Sequence, residues 1–413
     1  MKKVIIANYR YYISGGPEVY MFKFMDSCGK IGYTPIPFSV NYSKNRKTEY
    51  SKYFISSRSG DSVYYNQIKK TPKSILRTLS GAFYNCETVK NLNALIDDEN
   101  PSVLYALQVV NTLSPSIFRA AKKKGLKVVH RISDFNLICP RSDFLLGEDV
   151  CEQCIHGGLN CGIKNRCFHG SLAASLVRCE SMKFHRRHFL YRYVDYFVTP
   201  TEFTRNKLIE GGFDPSKVVK IPTFIDAVNI EPHYSNEGYL LFLGRLVPEK
   251  GVKYAIKALT YLTKYPDLKL KVTGTLSEND TEITEIICEN GLEDRVEFVG
   301  FRSGKDLEEL ISNCICLLCP AIWYENMPNT VLEAYAYGKP VIASNIGCFP
   351  ELICEDKTGF LFEPKNAADL AAKIEKMMEP HVAETMGRMA REYVITEYSP
   401  EYHFEKLKKL FEE

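Results

Sequence analysis

The hexapeptide "CICLLC", residues 314–319, is apolar at every position. A strand with one wet face would alternate, so this one is buried on both faces, as strands of a parallel sheet covered by helices are. It has company. Short apolar runs recur at 239–243, 269–273, 295–299 and 340–344, and helical periodicity fills 251–263, 280–290, 305–312 and 328–337 between them. Strand–helix alternation of this kind builds a doubly wound α/β sheet. The first half repeats the theme, with strands expected at 3–7, 34–40, 103–107, 127–132 and 195–199. Its helices are expected at 17–29, 73–85, 115–124 and 171–193, with another capped near Thr201. A chain of 413 residues is too long for one ordinary core. The expectation is two doubly wound, Rossmann-like domains facing across a cleft, 1–228 and 229–395. Residues 222–237 read as the linker, and a terminal helix at 396–413 is expected to return to the first domain.

Charge divides along the same line. Residues 1–230 carry 33 Lys and Arg against 19 Asp and Glu, a net +14, and residues 231–413 carry 20 against 31, a net −11. A basic first domain suits an anionic partner such as a phosphorylated substrate or a lipid surface. Charge alone would also allow nucleic acid, but no recognition motif accompanies it. No apolar run is long enough to span a bilayer, and the apolar run of the opening "MKKVIIANYR" is only Val4 to Ala7, short for a leader. The reading is a cytoplasmic protein.

Strand ends are where such folds bind ligands. "YLLFLGRLVPEKG" places Gly244 and Arg245 after one strand and Lys250 and Gly251 before the next helix. Arginine offers a planar fork and lysine a point charge, which together suit a diphosphate. In "WYENMPNTVLEAYAYGKP", Glu325 lies in the loop after "CICLLC" and Glu333 lies about two turns into the following helix. A carboxylate can accept two hydrogen bonds from a vicinal diol, so two carboxylates on one sheet end can hold two sugars. Taken alone, this pair could equally be a surface glutamate and a helix ion pair. "SGGPE" gives the first domain a glycine turn, Gly15-Gly16, at a helix start, and it lacks the G-x-G-x-x-G of a dinucleotide site.

These motifs together resemble the retaining glycosyltransferases of family 4, which have the GT-B fold. The resemblance covers nearly the whole chain and is strongest over 239–363. It implies that Arg245 and Lys250 hold the donor diphosphate and that Glu333 takes the ribose hydroxyls. Glu325, with the backbone of Asn326, Met327 and Pro328, would hold the donor sugar. The base would lie near Phe301 and Arg302, and Gly15-Gly16 by the phosphates and acceptor. The implied activity is metal-independent transfer of a hexosyl group from a nucleotide sugar, taken as a UDP-sugar, to a glycan or lipid-diphosphate acceptor. Bacterial capsule, O-antigen or exopolysaccharide assembly on the inner face of the membrane is the setting. No cofactor is expected for catalysis, and no D-x-D pair is present to hold a nucleotide-bound metal.

Three segments stand apart from this pattern. In "VVHRISDFNLICP", Ser133 occupies the place where relatives carry a histidine. His130 lies three residues upstream on the opposite strand face and reads as a core residue. Asp134 is a candidate for acceptor or donor-sugar binding, or a loop cap. "CEQCIHGGLNCGIKNRC" spaces Cys151, Cys154, Cys161 and Cys167 as C-x2-C-x6-C-x5-C, a candidate structural zinc site, with Cys139 and His156 as spare ligands. Free thiols are the alternative. "SMKFHRRHFLYRYVDYF" interleaves Lys183, Arg186, Arg187 and Arg192 with aromatics and could rest on anionic lipid or simply be solvated. Two rival functions remain open: a sugar-nucleotide epimerase of the same fold, and a nucleotide-sugar-binding protein without catalysis.

Overall fold

The computed structural model describes residues 1–57, 81–109, 112–276 and 281–413. The chain forms two compact units. The first comprises residues 1–144, 151–221 and 404–413, and the second residues 145–150 and 222–403.

In the first unit, strands β1 (Lys2–Ala7), β2 (Tyr33–Phe38), β3 (Val103–Ala106), β4 (Lys127–Arg131), β5 (Tyr196–Thr199) and β6 (Val218–Lys220) make one parallel sheet in the order β6-β5-β4-β3-β1-β2. Val4 to Ala7 are fully buried, as a central parallel strand requires. Side-chain caps fix where the connecting helices begin. Asn85 accepts from the Thr88 amide at 3.3 Å, Ser171 from Ala174 at 3.3 Å and Thr201 from Thr204 at 3.2 Å. The terminal helix joins this unit's core through Phe404, 5.5 Å from Phe24, and Phe411, 5.4 Å from Tyr33. Of the helix expected at 73–85, residues 81–83 are helical and those up to 80 lie outside the described residues.

The second unit holds β7 (Tyr239–Phe242), β8 (Lys269–Thr273), β9 (Val296–Gly300), β10 (Leu317–Cys319), β11 (Val341–Ser344) and β12 (Gly359–Phe362), again all parallel, in the order β9-β8-β7-β10-β11-β12. The strand order reverses between β7 and β10. Helices on either side of that point lie on opposite faces, so a crevice opens between the two strand ends. "CICLLC" is buried as expected, although its regular ladder is confined to Leu317–Cys319.

One local expectation needs correction. Residues 222–237 are no loose linker but a strap on the second unit. Ile225 donates to the Tyr398 carbonyl at 2.9 Å, His233 to Tyr337 at 2.9 Å and Glu237 to Asn313 at 2.9 Å, while Lys339 reaches the Ser235 carbonyl at 2.6 Å. Its polarity reads as a linker because its order comes from backbone bonds to distant residues. The helix expected at 171–193 runs continuously over 172–193, but it widens to a π-helical stretch at Arg186–Leu190. Arg186 turns inward and donates to the Leu137 carbonyl at 2.8 Å through Nε. Burial pulls its guanidinium below its ordinary range, so it serves packing and is lost to any lipid-facing surface.

His130 is a core residue. It is 3 % exposed, lies 5.2 Å from the Phe118 ring, and its Nδ1 is 3.1 Å from the Ala106 carbonyl, which can only accept. Burial pushes the imidazole down from 6.5 to about 4. The unfolded chain therefore binds a proton near pH 6.5 that the folded one refuses until about pH 4. Stability from this group is full above pH 6.5 and is lost as pH falls to 4, by about 3 kcal/mol. His130→Asn should remove one proton from the pH slope of unfolding free energy in that window, measured by urea denaturation at stepped pH. An unchanged slope would contradict the assignment.

Candidate active site

The crevice of the second unit is built by two turns. After β7, the Gly244 amide donates to Thr273 Oγ1 at 3.1 Å, and that hydroxyl donates to the Phe242 carbonyl at 3.3 Å. Arg245 follows, exposed, and its guanidinium has no partner among the described residues. The turn Pro248–Lys250 ends at Gly251, whose φ of +70° precedes the helix Val252–Ala258. A Cβ there would stand 1.8 Å from the Pro320 carbonyl oxygen, so only glycine lets the two turns close on each other. The Ile322 amide completes the junction, donating to the Glu249 carbonyl at 3.0 Å.

That junction brings Lys250 and Glu325 together. Lys250 Nζ lies 2.5 Å from Glu325 Oε1, and Trp323 Nε1 donates to the same oxygen at 2.8 Å. Glu325 is buried while the Lys250 side chain is 25 % exposed, so the ion pair is partly buried. Behind it, Gly347 (φ +62°) presses on the loop: a Cβ at this position would meet Tyr324 Cα at 3.2 Å. The next helix, Asn329–Ala336, begins at Pro328, which has no side-chain cap to cover the first amides. Asn326 and Met327 lie half-buried in the loop before it, and Glu333 is half-buried on the helix itself. Phe301 follows β9 and is 79 % exposed, and the neighbouring Arg302 reaches only the Phe301 carbonyl, at 3.4 Å. Sequence reading found Arg245, Lys250, Glu325 and Glu333 but passed over Trp323 and Thr273. The spacing W-x-E was the available signal for the first; Thr273 carries none.

In the first unit, strand order reverses between β1 and β3. Gly15 and Gly16 are exposed at the start of the helix Gly16–Ser27 that follows β1. A Cβ on Gly15 would meet nothing closer than 3.8 Å, so packing does not demand glycine there. In the first turn Glu18 is buried, 3.7 Å from Arg10, and burial raises its carboxyl. Asp134 follows β4. Its Oδ1 accepts from the Asn136 amide at 2.8 Å, so it does cap its loop. Burial nevertheless pushes its carboxyl up to about 6, against the opposing pull of that amide and of Arg178. Ser133 accepts from Arg131 Nη1 at 3.4 Å.

A zinc site is not shown at the cysteines. Among the described residues, no three His, Cys, Asp or Glu side chains are placed to hold a metal ion. Cys151, Cys154, Cys161 and Cys167 are free thiols, half-buried. Cys154 packs with Ile163 on the small apolar cluster of Leu159, Cys179 and Met182, and burial pushes its thiol up to about 12. Of the spare ligands, Cys139 is buried, and His156 lies 3.5 Å from Glu152.

Residues 225–393 match the family model described as glycosyl transferases group 1. An uncharacterized glycosyltransferase of Methanocaldococcus jannaschii is 29 % identical over 185 residues, 44 % of this chain and 46 % of that one. The chain thus matches about half the length of that relative. An uncharacterized 42.6 kDa protein from the cps region of Klebsiella pneumoniae is 24 % identical over 356 residues, 84 % of this chain and 87 % of that one. Among solved structures, Anabaena HepE in complex with UDP and glucose superposes with a TM-score of 0.68 at 17 % identity, covering all of both chains. That likeness shows the fold, GT-B.

Two measurements probe the geometry. Gly251→Ala forces a side chain into the Pro320 carbonyl and into an unfavourable φ. It should cost about 3 kcal/mol, which is a drop of about 6–12 °C in Tm by calorimetry. Asp134 titrates with the opposite sign to His130: its raised value favours the folded state as pH falls from about 6 towards 3.8. Asp134→Asn should therefore steepen the acid loss of stability over that interval, and a shallower profile would contradict the burial described.

Proposed function

Because the chain belongs to the glycosyl transferases group 1 family through residues 225–393, we propose that it is a retaining glycosyltransferase moving a hexosyl group from a UDP-sugar to a glycan or lipid-linked acceptor. The observation that carries the reading is the Lys250–Glu325 pair at the strand reversal of the second unit, with Arg245, unpartnered among the described residues, on the adjoining strand end. Arg245 and Lys250 take the diphosphate. As the bond from the anomeric carbon to the diphosphate breaks, positive charge grows on the sugar and negative charge on the leaving group. Preorganised cations beside the leaving oxygens stabilise that charge, often the largest catalytic contribution. Glu325, with the backbone of Asn326 to Pro328, holds the donor sugar. Glu333 holds the ribose, and the base lies by Phe301 and Arg302. In the first unit Gly15 and Gly16, exposed at a helix start, meet the acceptor in this reading. Asp134, ionised above about pH 6, engages the acceptor hydroxyl.

The choice of UDP and of a hexose is supported by the HepE complex with UDP and glucose. The Klebsiella cps-region relative supports surface polysaccharide assembly. The net +14 of residues 1–230, with Arg187 and Arg192 exposed, supports a cytoplasmic enzyme resting on the inner membrane face. Among the described residues, no helix is long and apolar enough to cross a membrane.

Calorimetric titration with UDP, GDP and ADP, without added metal, tests the reading. UDP should bind tightest. Arg245→Ala is the clean variant, because the side chain is exposed and has no partner among the described residues, so its loss leaves nothing buried. It should weaken UDP about 10- to 100-fold, the loss of one charge-assisted contact. Failure of all three nucleotides to bind well-folded protein would sink the proposal.

A further inference from the structure

The chain has a single tryptophan, Trp323, and it lies inside the candidate site. Its Nε1–H donates to Glu325 Oε1 at 2.8 Å, on the oxygen that Lys250 Nζ approaches to 2.5 Å. An indole N–H is donor only, so the direction of this bond is fixed. A carboxylate oxygen has two lone pairs, and these two donors fill them. Glu325 Oε2 has no partner among the described residues. The carboxylate is therefore held by one oxygen and presented by the other.

We propose that Trp323 is a positioning residue that locks Glu325 so that Oε2 meets a hydroxyl of the donor sugar. The proposal rests on the glycosyltransferase reading above. Lys250 cannot do this work by itself. Its ammonium is a rotatable point charge, and a bound diphosphate competes for its protons. The indole N–H has no such competing ligand, since a neutral donor gains little from phosphate beside two cations. When the diphosphate draws Lys250 away, Trp323 keeps the carboxylate in place. The backbone on either side of Trp323 is held, because Ile322 donates to the Glu249 carbonyl and Gly347 lies close against Tyr324. The inference thus separates two functions within one cluster: Lys250 reads the diphosphate, and the Trp323–Glu325 pair reads the sugar.

The test compares two affinities in the full-length protein. UDP probes the nucleotide and diphosphate contacts, and UDP-glucose, UDP-galactose and UDP-N-acetylglucosamine add the sugar. The tightest of the three defines the gain in affinity that the sugar brings. In Trp323→Phe the ring remains and the N–H is lost. UDP affinity should stay within about twofold, and the gain brought by the sugar should fall about 10- to 100-fold. Trp323→His, which keeps a ring N–H, should restore part of it and serves if the phenylalanine variant does not fold. A merely structural role would instead lower UDP and UDP-sugar binding together, which overturns the proposal. An unchanged sugar gain in Trp323→Phe overturns it as well, while leaving the nucleotide site intact. If the wild-type protein binds no UDP at all, the glycosyltransferase reading falls and takes this inference with it.

Discussion

The closure of two strand-end turns over Gly251 is the contact on which the second unit's chemistry depends. A helix start and a loop from a different strand approach until a single methyl group would overlap the Pro320 carbonyl. The consequence is electrostatic. Lys250 and Glu325, 75 positions apart in sequence, share a hydrogen bond in a partly buried setting. An ion pair taken out of water stabilises a fold weakly, because desolvation offsets most of the attraction. A fold that sought stability alone would gain more from apolar residues at these positions. Their place at a strand reversal supports the proposal of a binding site there.

Much of this was legible because the period of the sequence is physical. "CICLLC" could only be a strand covered on both faces, and the loops after such strands could only sit at the sheet's carboxyl end. Arg245, Lys250, Glu325 and Glu333 were found on that ground. His130 was legible for the same reason: three residues from Ser133 along an extended strand places it on the other face, and it is found in the core. The resemblance to a known family assigned the roles and added Phe301, Arg302 and the Asn326–Pro328 backbone, which the strand ends had not singled out.

What was not legible is what depends on contacts remote in sequence. Arg186 sits among surface-like basic residues, yet a π-helical stretch swings it onto the Leu137 carbonyl. The polar stretch 222–237 is ordered by backbone bonds to residues about 80 to 170 positions away, which no local pattern encodes. Spacing by itself leaves the cysteines open between two uses. C-x2-C suits a metal half-site, but a cysteine is also a small hydrophobe, and Cys154 is used that way beside Ile163. Trp323 was passed over because an aromatic beside a loop glutamate looks like packing until the N–H is seen to end on the carboxylate.

The pairing of Lys250 with Glu325 has a consequence for how such a site handles charge. Without a ligand, the carboxylate neutralises the cation and no net charge is left buried. A diphosphate arriving at Arg245 and Lys250 brings negative charge beside a carboxylate, which by itself is repulsive. Arg245 offsets this, because its guanidinium is exposed, has no partner among the described residues and adds one positive charge that the resting pair does not contain. The site then balances two cations against a carboxylate and a leaving group whose charge grows as the sugar departs. Stabilisation rises as the reaction proceeds, which is the condition for lowering a barrier rather than merely tightening binding. A lysine and glutamate without the arginine would hold a neutral sugar. With it, the same few side chains can favour the departure of a diphosphate.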